Sequence, residues 1–333
     1  MARMTKTLKL HVNIALQDDV DPVSRPVETA SQGSFKEGMF GSAGEGNDSD
    51  SDFQFSFDYF GISQPSWGLA LNLAHCSKLT YSGMDEVVQQ ALDWGFQSCR
   101  FFSKNKTECF VASNEEIVVV SFRGTQQFND WLTNLNIATK STPHGWVHRG
   151  FYFAFQDVCS SLEAELGTLN AGNKKVYLTG HSLGGALATI APMQWLGVYP
   201  IQKVLTYGQP AVGFSSLRSS IKVSYGDNFV RFVNEDDIVS RVPPGYRHAG
   251  RLIHFKGGGS ITRESVTAPV NEEIETMTAV EFQAFQSTLK DDSNDPSLNE
   301  GLIPSVSDHA LDEYIRKLSV EGTKARFENS VFA

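Results

Sequence analysis

Residues 176–184, with the sequence Val-Tyr-Leu-Thr-Gly-His-Ser-Leu-Gly, decide the fold. Val176–Thr179 consists of apolar, aromatic and β-branched residues, which predicts a short buried strand. A run rich in Leu and Ala follows over residues 183–196 and predicts a helix. The turn between them is a G-x-S-x-G pentapeptide, and this strand–turn–helix setting is typical of a nucleophile elbow. Such a turn strains the backbone at Ser182 and exposes its hydroxyl at a helix N-terminus, where N–H groups stabilise an oxyanion. An ordinary glycine-rich turn is the alternative.

Helices and strands alternate around this motif from Ser66 onward. The predicted strand Glu116–Phe122 contains four successive β-branched residues, Ile117–Val120, which is typical of a strand buried on both faces. The alternation predicts an α/β protein whose mostly parallel sheet is covered by helices on both faces. The predicted strands cover residues 96–102, 108–112, 116–122, 176–179, 204–207, 230–233 and 252–255. The predicted helices cover residues 69–78, 84–94, 151–169, 183–196, 215–223 and 310–318.

Composition excludes some functions and leaves others open. The chain has 333 residues, of which 41% are hydrophobic and 20% charged, and a formal net charge of −10. This acidic balance argues against a broad nucleic-acid-binding face, because such a face needs clustered positive charge. The least polar run, Gly184–Val198, is too short for a membrane span and contains Pro192 and Gln194.

The cysteines and the N-terminus bear on the cellular compartment. None of the four cysteines forms a C-x-x-C pair or has zinc-site spacing, which predicts free thiols. No apolar leader segment follows the first basic residues, because residues 8–16 alternate apolar and polar as a strand does. A cytoplasmic protein is therefore the default expectation, with leaderless secretion as the alternative.

Two segments lie outside the regular alternation. Residues 1–60 are expected to form an N-terminal extension, flexible over 17–52, with a further strand at Phe53–Tyr59 that presents one aromatic face. Residues 61–333 are expected to form the main domain, with an insertion at 257–304. That insertion is expected to contain one amphipathic helix ending near Lys290, which is predicted from the helical spacing of Ile274, Met277, Val280 and Ala284. An insertion packed on the domain surface is favoured, and a lid or membrane-contacting helix is the alternative.

A short acidic stretch resembles the start of a calcium loop. Asp48, Asp50 and Asp52 have the right spacing for the first three ligands. Phe53 stands where the turn requires Gly, and Tyr59 where the bidentate Glu belongs. A solvated acidic loop is therefore the favoured interpretation, and no metal site is predicted.

A serine nucleophile requires a base and a carboxylate that orients the base, and in elbow-bearing folds the acid and then the histidine follow the serine along the chain. The predicted strand at 230–233 is followed by three adjacent acids, Glu235, Asp236 and Asp237, which the pattern alone does not separate. Three histidines follow, namely His248, His254 and His309. His309 is favoured because it lies in a loop directly before a predicted helix. The other two are expected to be structural or surface residues.

The oxyanion would need two N–H donors. The N–H of Leu183 follows the nucleophile directly, and the N–H of Thr125 lies just after the predicted central strand. Four apolar residues then recur at helical spacing and predict an amphipathic helix, namely Phe128, Trp131, Leu132 and Leu135. This helix is either a lid over the site or a simple element of core packing.

Taken together, these ordered motifs resemble the class 3 lipase family, the fungal-lipase-like branch of the α/β-hydrolases, over about Ser66–Leu318. The motifs that carry the resemblance are Phe122–Thr125, Val147–Phe151, Gly180–Gly185, Asp237–Val239 with Pro243-Pro244, and Asp308-His309. The resemblance implies an α/β-hydrolase fold. It implies Asp237, directly before Ile-Val, as the triad acid, His309 as the base, and the segment after Thr125 as the lid. The long insertion before His309 and the absence of an evident disulfide frame depart from many fungal relatives.

The resemblance implies hydrolysis of carboxylic esters of lipids by a triacylglycerol lipase or esterase. Ser182 would be the nucleophile, and no metal or organic cofactor is required. The expected partner is a lipid or acyl-ester substrate, with transient contact to a lipid interface and no nucleic acid. The alternatives are a phospholipase or galactolipase, acyl transfer to an alcohol other than water, and a catalytically silent lipase-like binding module.

Overall fold

A computed structural model describes residues 53–263, 274, 276–292 and 307–328, and the fold is stated for these residues. The strand predicted at residues 8–16, the flexible stretch at 17–52 and the three aspartates of the calcium-like stretch lie outside them. All four cysteines lie inside and are free thiols, as predicted.

In the described part of the chain, eight strands form one sheet in the order β1-β2-β3-β6-β7-β8-β9-β10. These strands are β1 Ser98–Lys104, β2 Thr107–Ser113, β3 Ile117–Phe122, β6 Lys175–His181, β7 Ile201–Tyr207, β8 Phe229–Asn234, β9 Arg251–Phe255 and β10 Ile261–Arg263. Five neighbouring strands of this sheet run parallel, namely β3, β6, β7, β8 and β9. Strands β1 and β2 extend one edge and β10 the other, in antiparallel pairing. The predicted α/β class with a mostly parallel sheet is confirmed. A separate hairpin, β4 Thr139–Thr142 with β5 Gly145–His148, was not predicted.

Eight α-helices lie in the described ranges. They are α1 Trp67–Leu79, α2 Met84–Asp93, α3 Phe128–Asn134, α4 Arg149–Thr168, α5 Leu183–Gln194, α6 Ser215–Tyr225, α7 Ala279–Asp292 and α8 Leu311–Glu328. Helices α4, α5 and α6 bury apolar side chains in a core on one face of the sheet, together with Val118 and Val120. Helices α1, α2 and α8 do so on the other face, together with Val119. The central strand is therefore buried on both faces, as its sequence predicts. Among the described helices, none has both the length and the apolar character needed to cross a bilayer.

The prediction of a strand at Phe53–Tyr59 is wrong. Residues 57–59 form a single 3₁₀ turn, which begins where the Ser56 hydroxyl accepts the N–H of Asp58 at 3.2 Å. The aromatic side chains are nevertheless packed: the Phe55 ring stacks on Trp94 with centroids 4.9 Å apart. Alternating aromatic residues thus pack on the outside of the domain without pairing with the sheet, because the serine cap turns the backbone away.

The helix predicted in the insertion is present as α7, but its predicted apolar face is wrong. Val280 and Ala284 are exposed, whereas Phe282 and Leu289 are buried. A capping box sets the start of the helix: Thr278 and Glu281 each accept the other's main-chain N–H. Ile274 and Met277 therefore lie before the helix and do not share its face.

Candidate active site

Ser182 lies at a strained turn between β6 and α5. Its φ is +58° and its ψ −129°, a conformation that residues with a Cβ rarely adopt. The Ser182 N–H donates to the carbonyl of Tyr207 at 3.0 Å, and its own carbonyl accepts the N–H of Gly185 at 2.9 Å. Its Oγ is buried and has no hydrogen-bond partner within the described residues. The turn therefore holds a serine hydroxyl that is not engaged by its surroundings.

Asp237 and His309 form a buried hydrogen-bonded pair. Asp237 follows β8 after a short loop, and His309 lies in the turn before α8. The His309 Nδ1 lies 2.9 Å from Oδ2 and 3.0 Å from Oδ1 of Asp237. Because a carboxylate only accepts, Nδ1 carries the proton and Nε2 is the basic nitrogen of the ring.

The His309 ring lies beside the elbow. It stacks on the ring of His181, the residue before Ser182, with centroids 4.4 Å apart. It also packs on Gly208, where an added Cβ would lie 2.8 Å from Nδ1 of His309. Gly208 directly follows Tyr207, whose carbonyl binds the Ser182 N–H. The structure thus brings Ser182, Asp237 and His309 together at the carboxyl ends of β6, β7 and β8.

The insertion does not displace the His309 turn from this position. The Asn234 amide donates to the carbonyl of Asp308 at 2.9 Å, and the Asp236 N–H donates to the Asp308 carboxylate at 3.2 Å. Two hydrogen bonds therefore fasten the turn that carries His309 to the loop that carries Asp237.

The Asp237 carboxylate has further partners besides His309. The Tyr314 hydroxyl donates to Oδ2 at 2.5 Å, and the Val239 N–H donates to Oδ1 at 2.8 Å. Burial raises the pKa of Asp237, but the His309 ring and these two donors outweigh burial and lower that pKa below its ordinary value. Asp237 is therefore held as an anion. Tyr314 was not among the predicted site residues, and the only signal for it in the sequence is its place on the predicted helix at 310–318, five residues after His309.

The alternative acids and histidines lie in other environments. Glu235 forms an ion pair with Lys317 at 2.5 Å, and Asp236 is exposed. His248 donates from Nε2 to the Ser240 carbonyl at 2.6 Å, and burial lowers its pKa well below the ordinary value. His254 donates from Nε2 to the carbonyl of Glu235 at 2.8 Å. Of the three acids, Asp237 is the one that binds His309.

The two predicted oxyanion donors belong to the first turn of α5 and to the loop after β3. Leu183 is the first residue of α5, where main-chain N–H groups have no partner within the helix. The loop after β3 touches the elbow, because a Cβ added at Gly124 would lie 3.1 Å from the Ser182 Cβ. Thr125 follows Gly124 directly, and its hydroxyl accepts the N–H of Gln127 at 3.2 Å.

The predicted lid residues belong to α3 and the residue after it. Leu132 and Leu135 are buried in the core, whereas Trp131 is half-buried and stacks on Phe151 with centroids 6.3 Å apart. Phe128 is the first residue of α3, and the structure describes its backbone position only. The buried leucines fit the core-packing alternative, and a lid role is kept as a proposal.

A serine at a strained strand-to-helix turn, joined by a histidine and an aspartate from later loops of a mostly parallel sheet, defines the molecule as a protein of the α/β-hydrolase fold. Within that class, residues 119–246 match the family described as Lipase (class 3).

Two relatives and one solved structure show the extent of the similarity. The chain is 34% identical over 150 residues to the secreted mono- and diacylglycerol lipase 1 of Fusarium solani, covering 42% of this chain and 44% of that protein. It is 33% identical over 153 residues to a lipase of Rhizomucor miehei, covering 41% of each. It also resembles a solved triacylglycerol lipase in which a serine protease triad forms the catalytic centre. That match has a TM-score of 0.51 and 23% identity, and it covers 71% of this chain and 90% of the other. This last likeness shows the fold, and the chain spans less than half of either sequence relative.

Proposed function

We propose that the protein is a serine hydrolase that cleaves carboxylic esters of lipids, as a triacylglycerol lipase or esterase. The observation that carries the proposal is the buried His309–Asp237 pair beside a strained, unengaged Ser182. The similarity to two fungal lipases supports the substrate class.

In the proposed reaction, Ser182 Oγ attacks the acyl carbonyl while Nε2 of His309 takes its proton. The N–H groups of Leu183 and Thr125 bind the tetrahedral oxyanion, and Asp237 fixes the imidazole tautomer and stabilises the imidazolium. The tetrahedral intermediate collapses as His309 returns the proton to the leaving alcohol. Water then attacks the acyl-enzyme with His309 again as the base, and the fatty acid departs as Ser182 regains its proton. Each of these steps uses side chains and main-chain groups of this chain.

Two further parts of the proposal concern place and organisation. The four free cysteines support a reducing compartment such as the cytoplasm, although the Fusarium solani relative is named as secreted. We also keep the division into an extension (1–60) and a hydrolase domain (61–333) with an insertion at 257–304. The packing of Phe55 against Trp94 favours a boundary a few residues earlier.

The test is hydrolysis of p-nitrophenyl esters of graded chain length, followed by emulsified triacylglycerol, phospholipid and galactolipid. The variant Ser182→Ala should lose about 10⁶-fold in kcat, as other serine triads do. The exposed Ser161→Ala on α4 serves as the matched control and should keep its activity. Equal rates for wild type and Ser182→Ala would overturn the proposal.

Two further measurements test the alternative functions. Failure of a fluorophosphonate probe to label Ser182 would favour the silent binding module. Ester products formed with an added alcohol would favour acyl transfer.

A further inference from the structure

His181, the variable residue of the G-x-S-x-G motif, is buried and joins two parts of the site. Its Nε2 lies 2.8 Å from the main-chain carbonyl of His309, and its Nδ1 lies 2.9 Å from the Tyr81 hydroxyl. A carbonyl only accepts, so Nε2 carries the proton and Nδ1 must accept from Tyr81. The Tyr81 hydroxyl therefore selects the tautomer of His181 that binds His309.

Tyr81 also holds the loop that carries the second oxyanion donor. Its hydroxyl oxygen packs directly on Gly124, the residue before Thr125, because a Cβ added at Gly124 would lie 2.1 Å from that oxygen. The Arg123 guanidinium lies over the Tyr81 ring, 5.5 Å from its centroid, and donates to the Tyr81 carbonyl at 3.2 Å. One tyrosine thus contacts both the oxyanion loop and, through His181, the residue that supplies the base.

These contacts form one continuous path. Gly124 packs on the Tyr81 hydroxyl, and hydrogen bonds then join Tyr81 to His181 and His181 to the carbonyl of His309. Burial, followed by the nearby His309, lowers the pKa of His181 to about 3, so the stacked ring is neutral when the enzyme works. A neutral ring beside His309 does not repel the positive charge that His309 gains in catalysis.

We propose that Tyr81 is a positioning residue: its hydroxyl holds the Gly124–Thr125 loop directly, and His309 through His181, in the arrangement that Ser182 requires. The inference rests on the proposed hydrolase function. It assigns Tyr81 no contact with substrate, so its removal should change the chemical step and leave substrate binding nearly intact.

Tyr81→Phe removes the hydroxyl and keeps the ring that stacks with Arg123. A displacement of about 1 Å between catalytic groups costs about 100-fold, so we expect kcat to fall between tenfold and about 100-fold, with KM within about twofold of wild type. Tyr177→Phe is the matched control, because it removes a tyrosine hydroxyl that lies away from the site. That hydroxyl accepts the Gly61 N–H at a distance of 2.7 Å. This control should keep the wild-type kcat.

Substitutions at His181 separate its hydrogen bond to the His309 carbonyl from its hydrogen bond to the Tyr81 hydroxyl. His181→Gln places an amide N–H near the position of Nε2 and can still donate to the His309 carbonyl. His181→Asn places its amide near Nδ1 and keeps a partner only for Tyr81. We expect the Gln variant to retain more of kcat than the Asn variant. In the double variant Tyr81→Phe/His181→Asn, the Tyr81 substitution should cost less than it does in wild type, because the two residues share the link to His309 and their effects are not additive. Multiplicative losses would contradict the proposal.

A second readout does not depend on turnover. The low-field NMR resonance of the His309 Nδ1 proton reports the bond to Asp237, and Tyr81→Phe should shift or broaden it while Tyr177→Phe should not. A wild-type kcat and an unchanged resonance in Tyr81→Phe would overturn the positioning role. If wild type hydrolyses none of the esters, the proposed function fails, and the resonance still decides whether Tyr81 positions His309.

Discussion

Two regions of the molecule are held in place by different means. The first is the triad floor, made of Ser182, Asp237 and His309, and the second is the α3 segment, residues 128–138. The floor lies at strand ends, where the sheet and buried side chains fix each residue. The α3 segment is held at its C-terminal side by three side chains that bind main-chain carbonyls. Gln286 on α7 contacts the carbonyls of residues 132, 133 and 135, His148 donates to that of residue 136, and Tyr246 donates to those of residues 137 and 138. We therefore expect the floor to resist opening and the α3 segment to open at a lower cost.

After the loss of the nucleophile itself, the largest expected effect concerns Asp237, the acid of the floor. Asp237→Asn should lower kcat by about 10⁴-fold, because the amide no longer selects the productive His309 tautomer. Asp236→Asn, one residue away and exposed, is the matched control and should stay within about twofold of wild type. Steady-state kinetics on a soluble ester measure both. Equal losses in the two variants would mean that the floor does not depend on the Asp237–His309 bond.

A smaller loss of kcat is expected when an added methyl group crowds Asp237 and His309 while both residues are kept. Gly208 has a φ of +54°, and a Cβ there would lie 2.6 Å from Asp237 Oδ2 and 2.8 Å from His309 Nδ1. Gly208→Ala should therefore displace the pair and lower kcat by about 100-fold. Gly197→Ala introduces similar backbone strain, at φ +77°, with open space around the new methyl group. If both variants lost kcat equally, strain alone would explain the effect.

The sequence predicts the floor better than the supports around it. The elbow at Ser182 is local, because strand, turn and helix occupy neighbouring residues, and the order of acid and histidine follows from it. Choosing Asp237 among three adjacent acids needed the family resemblance, because only the fold decides which carboxylate turns inward. Tyr81 and His181 are 100 residues apart, and Gln286 lies 154 residues from Leu132. No periodicity or motif reports such contacts.

The structure of the insertion, too, could be predicted only in part from the sequence. Apolar spacing predicts the existence of α7, but the capping box at Thr278–Glu281 fixes where it starts and hence which face packs on α3. That short motif was visible in the sequence. The pairing of α7 with α3 was not, because it joins two segments through side chain to main-chain hydrogen bonds.

His181, which stacks on the floor, and Asp237 within it should also make the protein sensitive to acid. The pKa of His181 is about 3 in the folded protein and about 6.5 in the unfolded chain, so only the unfolded chain binds this proton in between. Its contribution to stability is complete above pH 6.5 and is lost as the pH falls toward 3, at up to about 1.4 kcal/mol per pH unit. The lowered pKa of Asp237 adds a loss in the same direction below about pH 4. Urea unfolding of wild type and His181→Gln between pH 7 and pH 4 should show a shallower fall for the variant. Parallel curves would contradict this assignment.

The smallest expected effect concerns the α3 segment. Gln286→Ala removes a side chain whose Nε2 lies 2.9–3.1 Å from three carbonyls of this segment, at a cost of about 1 kcal/mol. If α3 is a movable lid, this loss favours the open form and should raise the rate on a dissolved short-chain ester by about fivefold. The exposed Gln283→Ala on the same helix is the matched control and should leave the rate unchanged. Hydrogen exchange of the α3 amides should rise in parallel with the rate. Faster exchange at an unchanged rate would show that opening α3 does not limit access to Ser182, and would leave core packing as the role of this segment.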